Sequence, residues 1–170
     1  MNYFKESIKS GLNEYDLILK KSLDSLSDEE LTWKPNPHSN NIIFLLWHMI
    51  LVEDNLINTV LLQNEKMWIQ DKYYKDFPHL KNEIGFAFSQ NELDNFPEMK
   101  LSWLMNYYNS LRKITNKFLE ESDDETLAKS YMFGKRKVTG FFIVGRLVTE
   151  LSQHLGQISY IRGMIRGLNK

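Results

Sequence analysis

Cysteine is absent from the 170 residues. With it go disulfide frameworks, Cys-ligated zinc or iron–sulfur clusters, redox dithiols and cysteine nucleophiles. Any thiol in this protein's chemistry must arrive from outside. Glycine and proline are scarce, at 8 and 4 residues, which leaves few turns and favours long helices over many short strands. An excess of one charge is missing too: 21 Lys and Arg face 22 Asp and Glu, for a net charge of -1. A dedicated nucleic-acid binder shows a basic surplus, so nucleic acid is not an expected partner. No uninterrupted apolar run reaches the roughly 18 to 20 residues of a membrane span. Met1 to Glu6 lacks the basic-then-apolar pattern of a leader. The expectation is a cytoplasmic protein without membrane contact.

What is present is a large apolar inventory. Residues of apolar type make up 42% of the chain, including 10 Phe, 8 Tyr and 4 Trp, enough for one well-buried domain over residues 1–170. The fold class read from this balance is all-α.

Four long helices follow from periodicity. Phe4, Ile8, Leu12, Tyr15, Leu19, Leu23 and Leu26 recur at spacings of three and four, the stripe of an amphipathic helix. Ser27 and Glu30 form a capping box for a short turn, which Pro35 and Pro37 prevent from continuing. From Ile42 the second helix is apolar on nearly every face through Leu61, with Asn40 or Asn41 as its cap, and must be covered on more than one side. A third is expected to start near Pro97 and to carry Leu101, Leu104, Tyr108, Leu111, Thr115 and Phe118. The acidic run Glu120 to Asp124 opposes a helix C-terminal dipole and suits a solvated turn. The fourth opens after Thr139-Gly140 and runs to about Leu168, with Val144, Leu147, Leu151, Leu155, Ile158, Ile161 and Ile165 facing inward. Gly145, Gly156 and Gly163 each cost such a helix about 1 kcal/mol relative to Ala, which suggests a neighbour approaching closely.

Two connections stand out. Glu65 to Phe96 is too long for an ordinary loop and too aromatic for disorder, so it reads as a flap packed over one end of the helices, with a second capping box at Ser89 and Glu92. Lys129 to Thr139, centred on Gly134-Lys135-Arg136-Lys137, reads as a small hairpin.

The four histidines differ in setting. His38 and His79 lie in polar or proline-containing loops and read as solvated. His48 lies in the most apolar stretch of the chain. His154 follows Glu150 by four residues, so the two share a face with core positions Leu147, Ile158 and Ile161. A carboxylate and two imidazoles therefore point into one interior. Burying Glu150 unpaired is expensive, and a divalent metal would satisfy all three groups while leaving positions open for water or substrate. The alternative is a helical Glu150–His154 hydrogen bond beside a satisfied core histidine. Paired Glu-x-x-His motifs of the di-iron type, His-Glu-x-x-His and Gly-rich phosphate loops are all absent.

The run Asn41 to His48 with its Trp47-His48 pair, Leu93 to Phe96 leading into Tyr107-Tyr108, and Glu150 to Gly163 with His154-Leu155-Gly156-Gln157 resemble the DinB-like superfamily. The likeness spans essentially the whole chain. It implies a four-helix bundle in up-down-down-up order, whose long crossover between helices two and three corresponds to Glu65 to Phe96. It also implies a homodimer and a divalent metal on three residues. Many members use three histidines. The branch resembling mycothiol-dependent enzymes uses His, Glu and His, which corresponds here to His48, Glu150 and His154, with zinc, nickel, iron or manganese as the metal. Members of known activity use mycothiol or bacillithiol, so the resemblance implies a thiol-dependent S-transferase or related enzyme acting on a small-molecule electrophile. Lys135, Arg136 and Lys137 would then hold carboxylates of the thiol or form a solvated basic turn, Gln157 and Tyr160 would stand behind the ligands or serve as packing residues, and Arg162 would pair across a dimer interface. The competing readings are a metal-containing binding or stress protein without turnover, and a metal-free bundle in which the polar trio is structural.

Overall fold

Each of the four periodic stretches folds as a long helix, because each can bury an apolar stripe only against the others. The structure, a computed structural model, describes residues 3–167. Helix α1 spans Tyr3–Leu23, α3 spans Ile42–Asp54, α6 spans Leu101–Glu121 and α8 spans Gly140–Arg166. Helix α1 packs on α6 and α8, and α3 packs on the same two. Short helices α2 (Asp28–Thr32), α4 (Met67–Gln70), α5 (Gln90–Asp94) and α7 (Asp124–Ala128) decorate the connections, and β1 (Ser130–Phe133) and β2 (Arg136–Thr139) form the one sheet among the described residues. The fold is mainly helical, as expected. Both capping boxes are present, Ser27 with Glu30 on α2 and Ser89 with Glu92 on α5.

Helix α3 is the centre of the molecule. Asn41 caps it, accepting from the Phe44 amide at 2.8 Å, and twelve of its thirteen residues are buried. It continues without a break into a π-helical segment, Asn55–Leu61, a wider winding that often marks functional sites. The stretch Ile42–Leu61 is long and apolar enough to cross a membrane, with a mean hydropathy of 1.3, yet 83% of it is covered by the rest of the fold. Its two consecutive carboxylates are fully buried, and Glu53 Oε2 is left without a hydrogen-bond partner. Glu53 accepts from Arg112 Nη1 at 3.0 Å and Thr115 Oγ1 at 2.6 Å on α6. Asp54 accepts from Asn58 Nδ2 at 2.6 Å, the Met67 and Trp68 amides at 3.0 and 2.9 Å, and the Tyr107 hydroxyl. It thereby caps α4 from a distance and pins the start of the crossover to the core.

Aromatic rings hold the rest of that crossover down. Trp68 lies among Trp47, Trp103 and Tyr107, with ring centroids 5.8 to 6.4 Å away. Tyr73 stacks on Tyr107 at 4.4 Å, while Phe96 meets Phe44 and Trp47 at 5.1 and 5.0 Å. The expected hairpin is also present, with β1 and β2 antiparallel and Phe133 opposite Arg136. Gly134, at φ 59°, makes its two-residue turn.

Several boundaries differ from expectation. Helix α6 starts at Leu101 rather than near Pro97, because Pro97 to Lys100 are non-helical and Lys100 serves as the N-cap. Its C-terminus includes Glu120 and Glu121, and the Lys5 ammonium donating to the Glu120 and Ser122 carbonyls supplies the positive charge that end requires. Helix α8 ends at Arg166, and Leu168 lies outside the described residues. Among the described residues, no atom of a neighbouring element comes within 4 Å of where a Cβ would stand on Gly145, Gly156 or Gly163. The crowded glycine of α8 is Gly140, whose Cβ would meet the Leu127 carbonyl oxygen at 2.9 Å. Arg162 donates to the Ser22 and Asp24 carbonyls at the C-terminal end of α1, within the same chain.

Two outcomes follow. Asp54→Ala strands two buried amides and a hydroxyl, and should lower unfolding free energy by on the order of 3 kcal/mol or more, measured by urea denaturation. Arg166 binds Glu30 through two parallel hydrogen bonds of 2.7 and 2.6 Å. That contact, helped by the Ser27 amide, lowers the Glu30 pKa from 4.5 to about 2. A depressed acid contributes stability above its unfolded value and loses it as pH falls through its folded one. Arg166→Gln should therefore flatten the stability profile between about pH 4.5 and 2, read from thermal midpoints across that range.

Candidate metal centre

Helices α3 and α8 pack directly on each other. His48 stands midway along α3, and Glu150 and His154 lie one turn apart on α8. The packing brings one donor atom from each within 4.8 Å of the others. His48 and Glu150 are each 7% exposed, and His154 is partly buried. The two Nε2 atoms converge on the same Glu150 oxygen, His154 at 3.1 Å and His48 at 3.6 Å. The imidazole planes are perpendicular, with centroids 4.8 Å apart.

The far side of each ring fixes what the near side can do. His48 Nδ1 faces the Ile84 carbonyl oxygen at hydrogen-bond distance. A carbonyl only accepts, so Nδ1 carries the hydrogen and a neutral His48 turns its Nε2 lone pair toward Glu150. His154 Nδ1 makes the equivalent contact with Gln157 Oε1 at 2.7 Å. Two lone pairs and a carboxylate aimed at one point require a cation between them, either protons or a metal. This is the outer hydrogen-bonding that metal-binding histidines display, and the donor set of two nitrogens and one oxygen fits a borderline divalent ion with open positions. The residues fit the group.

The electrostatics agree. With a proton rather than a metal on each Nε2, hydrogen bonds from His154 and His48 hold the Glu150 carboxyl far below the usual carboxylate range, outweighing its burial, and Arg146 adds to the effect. Burial lowers the His154 pKa, but its bonds to Glu150 and Gln157 prevail and the net shift is upward. Arg146, one turn before Glu150, is ion-paired to the second carboxylate oxygen.

The carbonyl that orients His48 belongs to the crossover, at a point where the chain presses against α3. Gly85 has φ 78° and Ala87 φ 56°, both in the left-handed region. A Cβ on Gly85 would stand 2.8 Å from Trp47 Cζ3, 3.1 Å from Phe44 Cζ and 3.2 Å from His48 Nδ1. Only glycine lets the backbone come close enough to place the Ile84 oxygen on the imidazole.

Beside Glu150 opens a cavity of about 570 Å³, walled by α3, its π-helical extension, Ile84, the hairpin and the start of α8. Of the basic turn, Arg136 lines this cavity, while Lys135 and Lys137 are exposed and are not among the lining residues. Tyr160 is 71% exposed, whereas Gln157 contacts His154 as expected. His38 and His79 are both exposed, and His38 bonds Gln90. Sequence reasoning missed Arg146 and Ile84. The i, i+4, i+8 spacing of Arg146, Glu150 and His154 could have indicated the first. The second acts through its backbone and leaves no trace in residue type.

Gly85→Ala should shift this strap and release the His48 ring. With the protein still folded by circular dichroism, metal affinity should fall about 10- to 100-fold, measured by competition with a chromophoric chelator.

No curated protein matches the sequence. A conserved protein from Enterococcus faecalis, known from its crystal structure, superposes with a TM-score of 0.85, covering 98% of this chain and 99% of its own. The two are 18% identical, so the likeness concerns the fold. The sequence profile of the DinB superfamily matches residues 18–158, a span that includes His48, Glu150 and His154. The chain belongs to the DinB superfamily.

Proposed function

We propose that the protein is a metal-dependent enzyme that activates a low-molecular-weight thiol, bacillithiol or a similar molecule, for transfer to a small electrophile. The observation that carries this reading is the pair of imidazoles whose Nδ1 atoms are occupied and whose Nε2 atoms meet at Glu150. A divalent metal held by His48, Glu150 and His154 would bind the sulfur and favour its thiolate form at neutral pH. The chain has no thiol of its own to compete for that position.

The protein's residues do the remaining work. Ile84 and Gln157 keep both imidazoles in the tautomer that presents Nε2. Arg146 balances the charge of Glu150 and keeps it ionised. The apolar cavity walls exclude water from the reacting atoms. Lys135 and Lys137, exposed on the hairpin turn, would hold carboxylates of an extended thiol, with Arg136 nearer the reacting centre. A homodimer in the cytoplasm acting on small molecules completes the reading.

One observation favours a second reading. The ion pair from Arg146 and the contact with His154 already offset the charge of Glu150 without a metal, so the trio would serve as a structural network. Elemental analysis of protein purified without chelator or nickel resin separates the two. The enzyme reading expects close to one equivalent of a transition metal, lost in His48→Ala with the helical spectrum intact; less than about a tenth of an equivalent favours the structural network. Metal-loaded protein should then accelerate conjugation of bacillithiol to a model electrophile, and a rate equal to that of metal-free protein across several thiols would leave a metal-binding protein without turnover.

A further inference from the structure

The cavity beside Glu150 has a chemistry of its own. Its volume, about 570 Å³, lies in the range of small-molecule sites. Its outer wall is aromatic, formed by Phe86, Phe133 and Phe142. Phe86 is 79% exposed, an unusual position for a large apolar ring on a chain most of whose other aromatic rings are buried or half-buried.

The charged lining is unbalanced. Besides His48 it contains Arg136, Arg146 and Glu150. Glu150 already faces His48, His154 and Arg146. Arg136 has no carboxylate partner among the described residues, and its guanidinium carbon lies 5.4 Å from the Phe142 ring centroid. A guanidinium held on a ring face keeps its in-plane N–H donors free for a carboxylate. Two arginines against one carboxylate leave a positive surplus inside a partly apolar cleft, where such charge attracts anions strongly. The surplus exists with or without a metal.

We propose that this cavity selects a small anion with a flat apolar body, an aryl or unsaturated carboxylate, as the substrate presented to the reactive centre. Its carboxylate sits on Arg136, with Arg146 adding charge from the Glu150 side, and its body lies among Phe86, Phe133 and Phe142. The inference rests on reading this cavity as the substrate site; it names the electrophile's class, leaving Lys135 and Lys137 to the thiol.

The test is calorimetric binding of phenylacetate and of its neutral isostere phenylacetamide to the full-length protein, both metal-loaded and chelator-treated. Phenylacetate should bind at least about tenfold more tightly in both forms, as expected for a charge-assisted contact, and the preference should shrink with added salt. Arg136→Gln should remove most of the preference while leaving phenylacetamide binding and metal content unchanged. Equal affinity for the two probes, no binding of phenylacetate up to 10 mM, or a preference that survives Arg136→Gln would overturn the proposal. A preference confined to metal-loaded protein would also overturn it, assigning the anion to the metal. Metal content, measured separately, decides the fate of the metal reading independently of these outcomes.

Discussion

Helix α3 has no face for water, and the rest of the molecule is arranged around that fact. Twelve of thirteen residues from Ile42 to Asp54 are buried, so each polar group on the helix must find its partner on another element or carry the full cost of desolvation. Glu53 reaches α6, Asp54 reaches α6 and the crossover, and His48 reaches α8 and the crossover. These tethers fix the neighbours that an apolar stripe alone would leave free to slide. Apolar burial supplies the driving force for assembly. The buried carboxylates specify the register.

The same constraint builds the candidate site. A histidine on a fully covered helix can meet solvent only where the cover is interrupted, and the interruption is the cavity beneath the 84–88 strap. The π-helical turn that follows Asp54 widens the helix there and places Asn55 and Leu56 in the cavity wall. A left-handed, strained Ala87 beside Gly85 is the cost of bringing a carbonyl onto His48. The aromatic packing of Trp47, Trp68 and Phe96 is what stabilises the crossover enough to bear it.

Periodicity made most of the fold legible. The stripe of Val144, Leu147, Leu151, Leu155, Ile158 and Ile161 lies buried along α8, and Asn41, Ser27 and Ser89 cap where side-chain chemistry says they should. The start of α6 was misplaced because a proline fits the first turn of a helix and the extended chain before one equally well, and Pro97 takes the second role. The three helical glycines suggested a close neighbour that is absent, since glycine's cost in a helix does not reveal why it is tolerated. The buried pair Glu53 and Asp54 leaves no mark in the apolar periodicity, although two adjacent acids in so apolar a helix signal partners elsewhere.

By itself the sequence determined the helical class, the four long elements, the hairpin and the Glu150–His154 pair, because each of these is written in spacing along one segment. Glu150 and His154 share a face through the helical repeat alone. Only the tertiary structure decided that His48 joins them and that the Ile84 carbonyl sets the His48 tautomer. It also decided that Arg136, rather than its neighbouring lysines, lines the cavity. The contacts of His48 join residues 36 to more than 100 positions apart. They depend on packing distances of a few ångströms between separate elements, and side-chain type carries no record of such distances.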